Sequence, residues 1–285
     1  MTTGPELVTA ALLRTWPLPE PQPGKRGRGQ VLVVGGSPST PGAAMLAGVA
    51  ALRVGAGVLG LAVAASVSGP VAAAVPESSV LGLPELDGGT PNGRLADRVA
   101  GCAAVLVGPG IDGPGVARDL LDRVVDHAPP DAPLVLDAFA LGVLPGSPSV
   151  DAVRGRCVLT PNSSEADRLL DGIDDDADQA QTAAQIAGKY EAVVSYRAAV
   201  ATPDGRTWSV PAGHAGLGTS GSGDVLAGAI TGLLARGADA AQAACWGTYL
   251  HAIAGDRLAA RVGRLGFLAR DLVDQLPVVL TETEA

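Results

Sequence analysis

Apolar residues fall in short unbroken runs, each stopped by glycine, proline or a small polar residue. Val31–Val34 ends at Gly35-Gly36-Ser37, Ala104–Val107 at Gly108-Pro109-Gly110, Leu134–Leu136 at Asp137, and Val158–Leu159 at Thr160-Pro161-Asn162. Runs of this kind, without polar alternation, predict strands covered on both faces. Val58–Val63 and Ala192–Ser195 read the same way, with a further extended piece near Val80–Leu83. Between them the apolar spacing turns helical at Ala43–Val54, Val67–Ala74, Leu95–Cys102, Val116–His127, Ser163–Leu170 and Gln179–Tyr190. A short helix is predicted over Glu6–Thr15, inside a Pro- and Gly-rich lead running from Thr2 to Gln30. This alternation predicts a parallel sheet with helices on both sides.

The pattern changes near the C-terminus. Ala198–Thr202 and Thr207–Val210 flank Pro203-Asp204-Gly205-Arg206, which predicts an antiparallel hairpin. A glycine-rich loop, Gly213–Gly223, then opens into a helix over Asp224–Ala235. Helices over Ala240–Val262 and Leu268–Leu276 follow, and Thr281–Ala285 is expected to fray. No linker and no fixed-period repeat divides the 285 residues, so a single domain is expected over 1–285, with 1–24 as a lead.

Composition narrows the function. Residues of the AVILMFWYC set make up 47% but aromatics only 3%, so the core is built from Ala, Val and Leu, which lets layers approach closely. A net charge of -9 argues against nucleic-acid binding, which needs a basic face. It leaves room for an anion held by backbone N–H groups at a helix N-terminus. Cys102, Cys157 and Cys245 are odd in number and widely spaced, with no CxxC, so a reducing cytoplasm is the expected compartment. Met1–Pro23 carries no basic stretch followed by an apolar core. Ala43–Ala65 is the nearest approach to a membrane span, but Arg53 and its glycines interrupt it, so no membrane is expected.

The spacing GxGxxG occurs at Gly55–Gly60, Gly108–Gly113 and Gly216–Gly221, which shows how little it means alone. The second has the strand–loop–helix order of a dinucleotide site, with Asp137 ending the next strand; a plain turn beside a ligand crevice is the competing reading. More specific is the run Gly216-Leu217-Gly218-Thr219-Ser220-Gly221-Ser222-Gly223-Asp224-Val225-Leu226-Ala227-Gly228. Its glycines let several N–H groups converge, and the helix adds its positive end, so Gly221, Ser222 and Gly223 form a cradle for phosphate. Asp224 falls in the first helical turn, where a carboxylate can take a proton from a hydroxyl attacking a phosphoryl group. The plain alternative is an acidic residue favouring the helix dipole. Asn162 and Glu165 have the form of a capping box; Glu165 is also a candidate magnesium ligand, directly or through water, and the two readings are compatible.

These motifs together resemble the ADP/ATP-dependent NAD(P)H-hydrate dehydratases, a branch of the ribokinase-like superfamily. The likeness covers roughly Gly24–Leu276 and rests on Val31–Ser37 with Gly42-Ala43, Arg53–Gly57, Val107–Gly110, Leu136-Asp137-Ala138, Leu159-Thr160-Pro161 and, above all, Ser220–Gly228. Tyr249-Leu250-His251 on the following helix also fits. The resemblance implies a ribokinase-like three-layer α/β/α sandwich, with a mostly parallel central sheet and a late antiparallel hairpin. It implies repair of hydrated NADH and NADPH (NADHX, NADPHX) with ADP or ATP as phosphoryl donor and Mg2+. In that chemistry a phosphoryl group passes to the ring hydroxyl, and phosphate elimination restores the dihydropyridine. Asp224 would be the base and Gly221, Ser222 and Gly223 the anion hole. Ala43, Gly108, Gly110, Asp137 and Asn162 would line the hydrate site. Ser195, Tyr196, Arg197, Ala198 and Ala199 would contact the nucleotide. A homo-oligomer, often a tetramer, is also implied.

The chain departs from the family at four places. Asn162-Ser163-Ser164-Glu165 stands where His-Pro-Gly-Glu is usual, and Ser195-Tyr196 where Lys-Gly is usual. Asp137-Ala138-Phe139-Ala140 replaces Asp-Ala-Asp-Ala, and Thr40-Pro41-Gly42-Ala43 replaces Tyr-Thr-Gly-Ala. Losing the lysine removes a positive charge near phosphate, for which Arg197 is the candidate replacement. A kinase of another small hydroxylated molecule, and a nucleotide-binding relative with weak catalysis, are the alternatives.

Overall fold

The computed structural model describes residues 4–20, 22–91, 93–173 and 177–285. Ten strands form one sheet: β1 (Glu6–Leu7), β2 (Gln30–Val34), β3 (Val58–Ala64), β4 (Ser78–Leu83), β5 (Ala104–Val107), β6 (Leu134–Leu136), β7 (Cys157–Leu159), β8 (Val193–Tyr196), β9 (Ala199–Ala201) and β10 (Thr207–Ser209). Their spatial order is β1-β10-β9-β8-β7-β6-β5-β2-β3-β4. From β8 to β4 every pairing is parallel, with Val33 opposite Leu106 and Val135 opposite Val158. The late hairpin is antiparallel as expected, Trp208 facing Val200, and β9 also runs antiparallel to β8.

Alternate residues of these strands enter two separate cores. Val31, Val33, Leu61 and Leu106 pack on one side against helices Pro41–Arg53, Ser222–Ala235, Ala240–Arg261 and Ala269–Glu284. Leu32, Val34, Val105 and Leu136 pack on the other against helices including Pro114–His127 and Ser163–Leu170. Burial on both sides explains why the strands lack a polar face. The result is the expected three-layer α/β/α arrangement. Gly228 and Gly232 explain the small-residue bias: a Cβ on either would stand 2.0 Å from the Ala47 carbonyl oxygen or 2.4 Å from that of Ala51. The glycine helix therefore lies directly on the first long helix.

Both ends of the chain differ from expectation. Glu6–Leu7 is a strand beside β10, and only Ala10–Thr15 is helical, capped by the Thr9 hydroxyl, which accepts from the Leu12 N–H. The described part of the lead is tied down: Trp246 Nε1 donates to the Trp16 carbonyl, and Val8 and Leu13 are buried. The first three residues of the lead lie outside the described residues. At the other end the helix runs on to Glu284 with Pro277 inside it, rather than stopping at Leu276 and fraying. Val279, Leu280 and Thr283 are buried there, and packing outweighs the hydrogen bond that proline removes.

Candidate active site

The loops that leave β2, β5, β6 and β7 sit together at the C-terminal edge of the parallel strands, where ligands bind in open α/β sheets. The Gly36 N–H donates to the Pro109 carbonyl and the Ser37 N–H to that of Gly110, which ties the first loop to the second. Gly110 has φ +69°, and a Cβ on it would lie 2.3 Å from the Thr40 carbonyl oxygen and 3.1 Å from Ala43 Cβ. Gly108 has φ +128° and no room either, its Cβ position lying 1.8 Å from the Asp137 carbonyl oxygen. Ala43, Gly108, Gly110 and Asp137 thus form one wall.

Beside this wall the helix Ser222–Ala235 begins. Its cap is Gly221, at φ +88°; the Ser222 N–H donates to the Thr219 carbonyl, and the N–H groups of Gly223 and Asp224 are left directed outward from the first turn. Asp224 occupies that turn, partly buried. Burial first, and the Glu165 charge second, raise its carboxyl to about 6. Asp137 is almost fully buried and accepts from Thr160 Oγ1 at 2.9 Å. Burial, then the charges of Asp224 and Glu165, push it up to about 8, so it carries its proton at neutral pH. Glu165 is raised too, mainly by burial. Two of the three carboxyl groups that feel one another's charge therefore separate into an acid form, Asp137, and a base poised near neutrality, Asp224.

A cavity of about 730 Å³ lies between β7, β8 and the helices Ser222–Ala235 and Ala240–Arg261. Ser195, Arg197, Ala198, Ser222 and Gly223, expected at the nucleotide and its phosphates, line it; Asn162, expected in the hydrate site, lines this cavity too. Tyr196 and Ala199 are placed differently: strand alternation sends both side chains into the opposite core. Ser195 is buried, its hydroxyl 2.7 Å from Thr248 Oγ1. The cation at this end is Arg197, exposed in the two-residue turn between β8 and β9 with φ +53°. Its Nε and Nη2 both donate to Ser163 Oγ, at 3.2 and 2.7 Å.

Asn162 and Glu165 form the capping box: the Glu165 N–H donates to Asn162 Oδ1, and the Asn162 N–H to Glu165 Oε2. Among the described residues no group of three or more His, Cys, Asp or Glu is placed to hold a metal ion. Mg2+ asks for less than that when phosphates are present, since it keeps several waters and takes one or two carboxylates. Glu165, with one oxygen spent on the cap, fits such a shared site.

Sequence reasoning missed His214, Thr248 and Gln179, which also line the cavity. His214 Nδ1 accepts from the Gly216 N–H and Nε2 meets the Gly255 carbonyl at 3.2 Å, which pins the glycine loop to the long helix. Its place two residues before Gly216 was the available signal. Thr248 lies three residues before His251, on the same face of the helix.

Comparison with known proteins agrees with this geometry. The family model described as NAD(P)H-hydrate dehydratase matches residues 31–278. An ADP-dependent (S)-NAD(P)H-hydrate dehydratase of Xanthomonas campestris pv. campestris is 47% identical over 98% of each chain. A bifunctional NAD(P)H-hydrate repair enzyme, Nnr, of Moorella thermoacetica is 37% identical over 98% of this chain but 54% of its own length, so the chain spans about half of that relative. The crystal structure of the Bacillus subtilis ADP/ATP-dependent NAD(P)H-hydrate dehydratase, co-crystallised with ATP/Mg2+, superposes with a TM-score of 0.79 at 26% identity, covering 99% of this chain and 100% of that one. The phosphate-type cradle, the poised carboxylate and these likenesses point the same way: the chain belongs to the NAD(P)H-hydrate dehydratase family.

Proposed function

We propose that this chain dehydrates NADHX and NADPHX with an adenine nucleotide as phosphoryl donor and Asp224 as the base. The observation that carries the reading is the position of Asp224. It stands in the first turn of the Ser222–Ala235 helix, next to Gly223 of the cavity that Arg197 also lines, and its charge is felt by Asp137. The hydrate lies against the wall formed by Ala43, Gly108, Gly110 and Asp137, and the nucleotide in the cavity. Arg197 supplies the positive charge that relatives take from lysine, and the N–H groups of Gly223 and Asp224 receive the transferring phosphoryl oxygens. Asp224 takes the proton of the ring hydroxyl as its oxygen bonds to phosphorus and the bond to the donor nucleotide breaks. Loss of that phosphate, with a proton from the neighbouring ring carbon, restores the ring double bond. Asp137, neutral, offers a hydrogen bond to the hydrate without adding a second negative charge beside the phosphates.

Mg2+, when bound, neutralises phosphate charge, and Glu165 would hold it directly or through water. Among the described residues no helix is long and apolar enough to cross a membrane. Cys102, Cys157 and Cys245 are buried and free, which suits a cytoplasmic enzyme. A homo-oligomer, as a tetramer, completes the proposal.

The test mixes the purified protein with NADHX, magnesium and either ADP or ATP, and follows the absorbance of restored NADH. A nucleotide-dependent rise that ends in free phosphate supports the reading and names the donor. A stable phosphorylated product would instead make the protein a kinase of a hydroxylated small molecule. Nucleotide binding without turnover of any kind would leave only the binding relative.

A further inference from the structure

The floor of the cavity is one face of the helix Ala240–Arg261, and two side chains on it do something the reaction scheme does not use. His251 is buried, and its Nε2 shares a hydrogen bond of 2.8 Å with Ser222 Oγ. Ser222 is the first residue of the phosphate-binding turn, immediately before Gly223 and Asp224. One turn earlier, Thr248 Oγ1 meets Ser195 Oγ at 2.7 Å at the end of β8. Both walls of the cavity are therefore tied to a single rigid element, and each tie is buried.

The first turn most needs such a tie. A helix cap normally fixes this turn by a side-chain oxygen that accepts from its N–H groups. Here the cap is Gly221, which has no side chain, and the helix start shows no side-chain cap hydrogen bond. The N–H groups of Gly223 and Asp224 are left for a ligand, and the turn loses the usual side-chain restraint, only the Ser222 N–H being held by the Thr219 carbonyl. The Ser222 hydroxyl, held by an imidazole on a neighbouring helix, supplies a restraint in its place. Burial lowers the His251 imidazole to about 4, so it is neutral throughout the working range and the tie does not bring a positive charge into the core.

We propose that His251 is a positioning residue, which through Ser222 holds the phosphate-binding turn in the conformation that transfers the phosphoryl group. The proposal rests on the reading of residues 222–224 as the phosphate cradle. Loosening the turn should affect the transition state more than ground-state nucleotide binding, because the orientation of the N–H groups matters most as charge develops on the phosphoryl oxygens.

The experiment is a double-mutant cycle on kcat and on the nucleotide KM, using His251→Ala, Ser222→Ala and the pair, with His251→Gln as the conservative variant. Each single substitution is expected to lower kcat about tenfold and change the nucleotide KM less than about threefold. The pair is expected to be no slower than either single variant, as for two residues acting through one contact. Gln, whose amide can reach the same hydroxyl, is expected to recover most of the lost kcat. Thermal unfolding of every variant shows that it is folded. Should His251→Ala not fold, Ser222→Ala and His251→Gln still decide the matter. Folded variants with unchanged kcat, or fully additive losses, would overturn the proposal. Asp224→Asn runs in parallel: if it too retains full activity, the cradle reading itself falls, whereas its loss beside an active His251→Ala removes only the positioning role.

Discussion

Asp224→Asn should inactivate the enzyme and stabilise it, and both effects follow from one number. The Asp224 carboxyl titrates at about 6 in the fold and near 3.8 when free, the rise coming from burial and then from Glu165. Above both values the fold holds an ionised group that the unfolded chain solvates better, a destabilisation of about 3 kcal/mol. The neutral amide removes this difference of about 3 kcal/mol, which corresponds to a rise in Tm of about 7 °C for a chain of this size. The sign fixes the pH window. Because the folded value is raised, the wild type has its full stability below about pH 4 and loses it as the pH climbs through about 6. The gap between variant and wild type should therefore be absent in acid and constant above neutrality. Activity should move the other way: the variant loses the base, about 10²- to 10⁴-fold in kcat, and wild-type kcat/KM falls on an acid limb centred near pH 6. Thermal unfolding followed by circular dichroism across pH, beside the NADH absorbance assay, measures both. A variant that turns over at the wild-type rate, or that is less stable than wild type at about pH 7.5, refutes the reasoning.

Arg197→Gly relieves a left-handed backbone at φ +53° and removes the cation, so Tm should rise by the equivalent of about 1 kcal/mol while the nucleotide KM rises about tenfold. Steady-state kinetics with the nucleotide varied, alongside a melting curve, reads both. Asp137→Asn should abolish a pH dependence of stability: burial and the charges of Asp224 and Glu165 raise Asp137 to about 8, so the wild type loses stability as the pH climbs from about 4 towards 8, and the variant does not. Urea unfolding at several pH values would show parallel curves if this is wrong. Gly228→Val drives side-chain atoms into the Ala47 backbone, where even a Cβ would be 2.0 Å from the carbonyl oxygen, and should cost more than about 3 kcal/mol. A soluble variant with an unchanged Tm would contradict that close crossing of helices.

The alternating apolar runs of this chain carried the parallel sheet, its coverage on both faces and the late hairpin, because burial on both sides leaves no room for polar alternation. The glycine run carried the glycine-capped turn that opens the Ser222–Ala235 helix. Local pattern misled at the ends. Glu6–Leu7 pairs with β10, a partner some 200 positions away, and Pro277 stays helical because the residues after it are buried against the body. Tyr196 and Ala199 adjoin true cavity residues in sequence but face the other core, a matter of strand alternation about Ser195. Sequence by itself named the candidates for the chemistry: Asp224, the glycines before it, and Asp137. Only the tertiary structure decided their states. The separation of Asp137 near 8 from Asp224 near 6, the commitment of Ser195 to Thr248 and the tie from His251 to Ser222 all arise from burial and proximity between segments far apart in the chain, which no local pattern encodes.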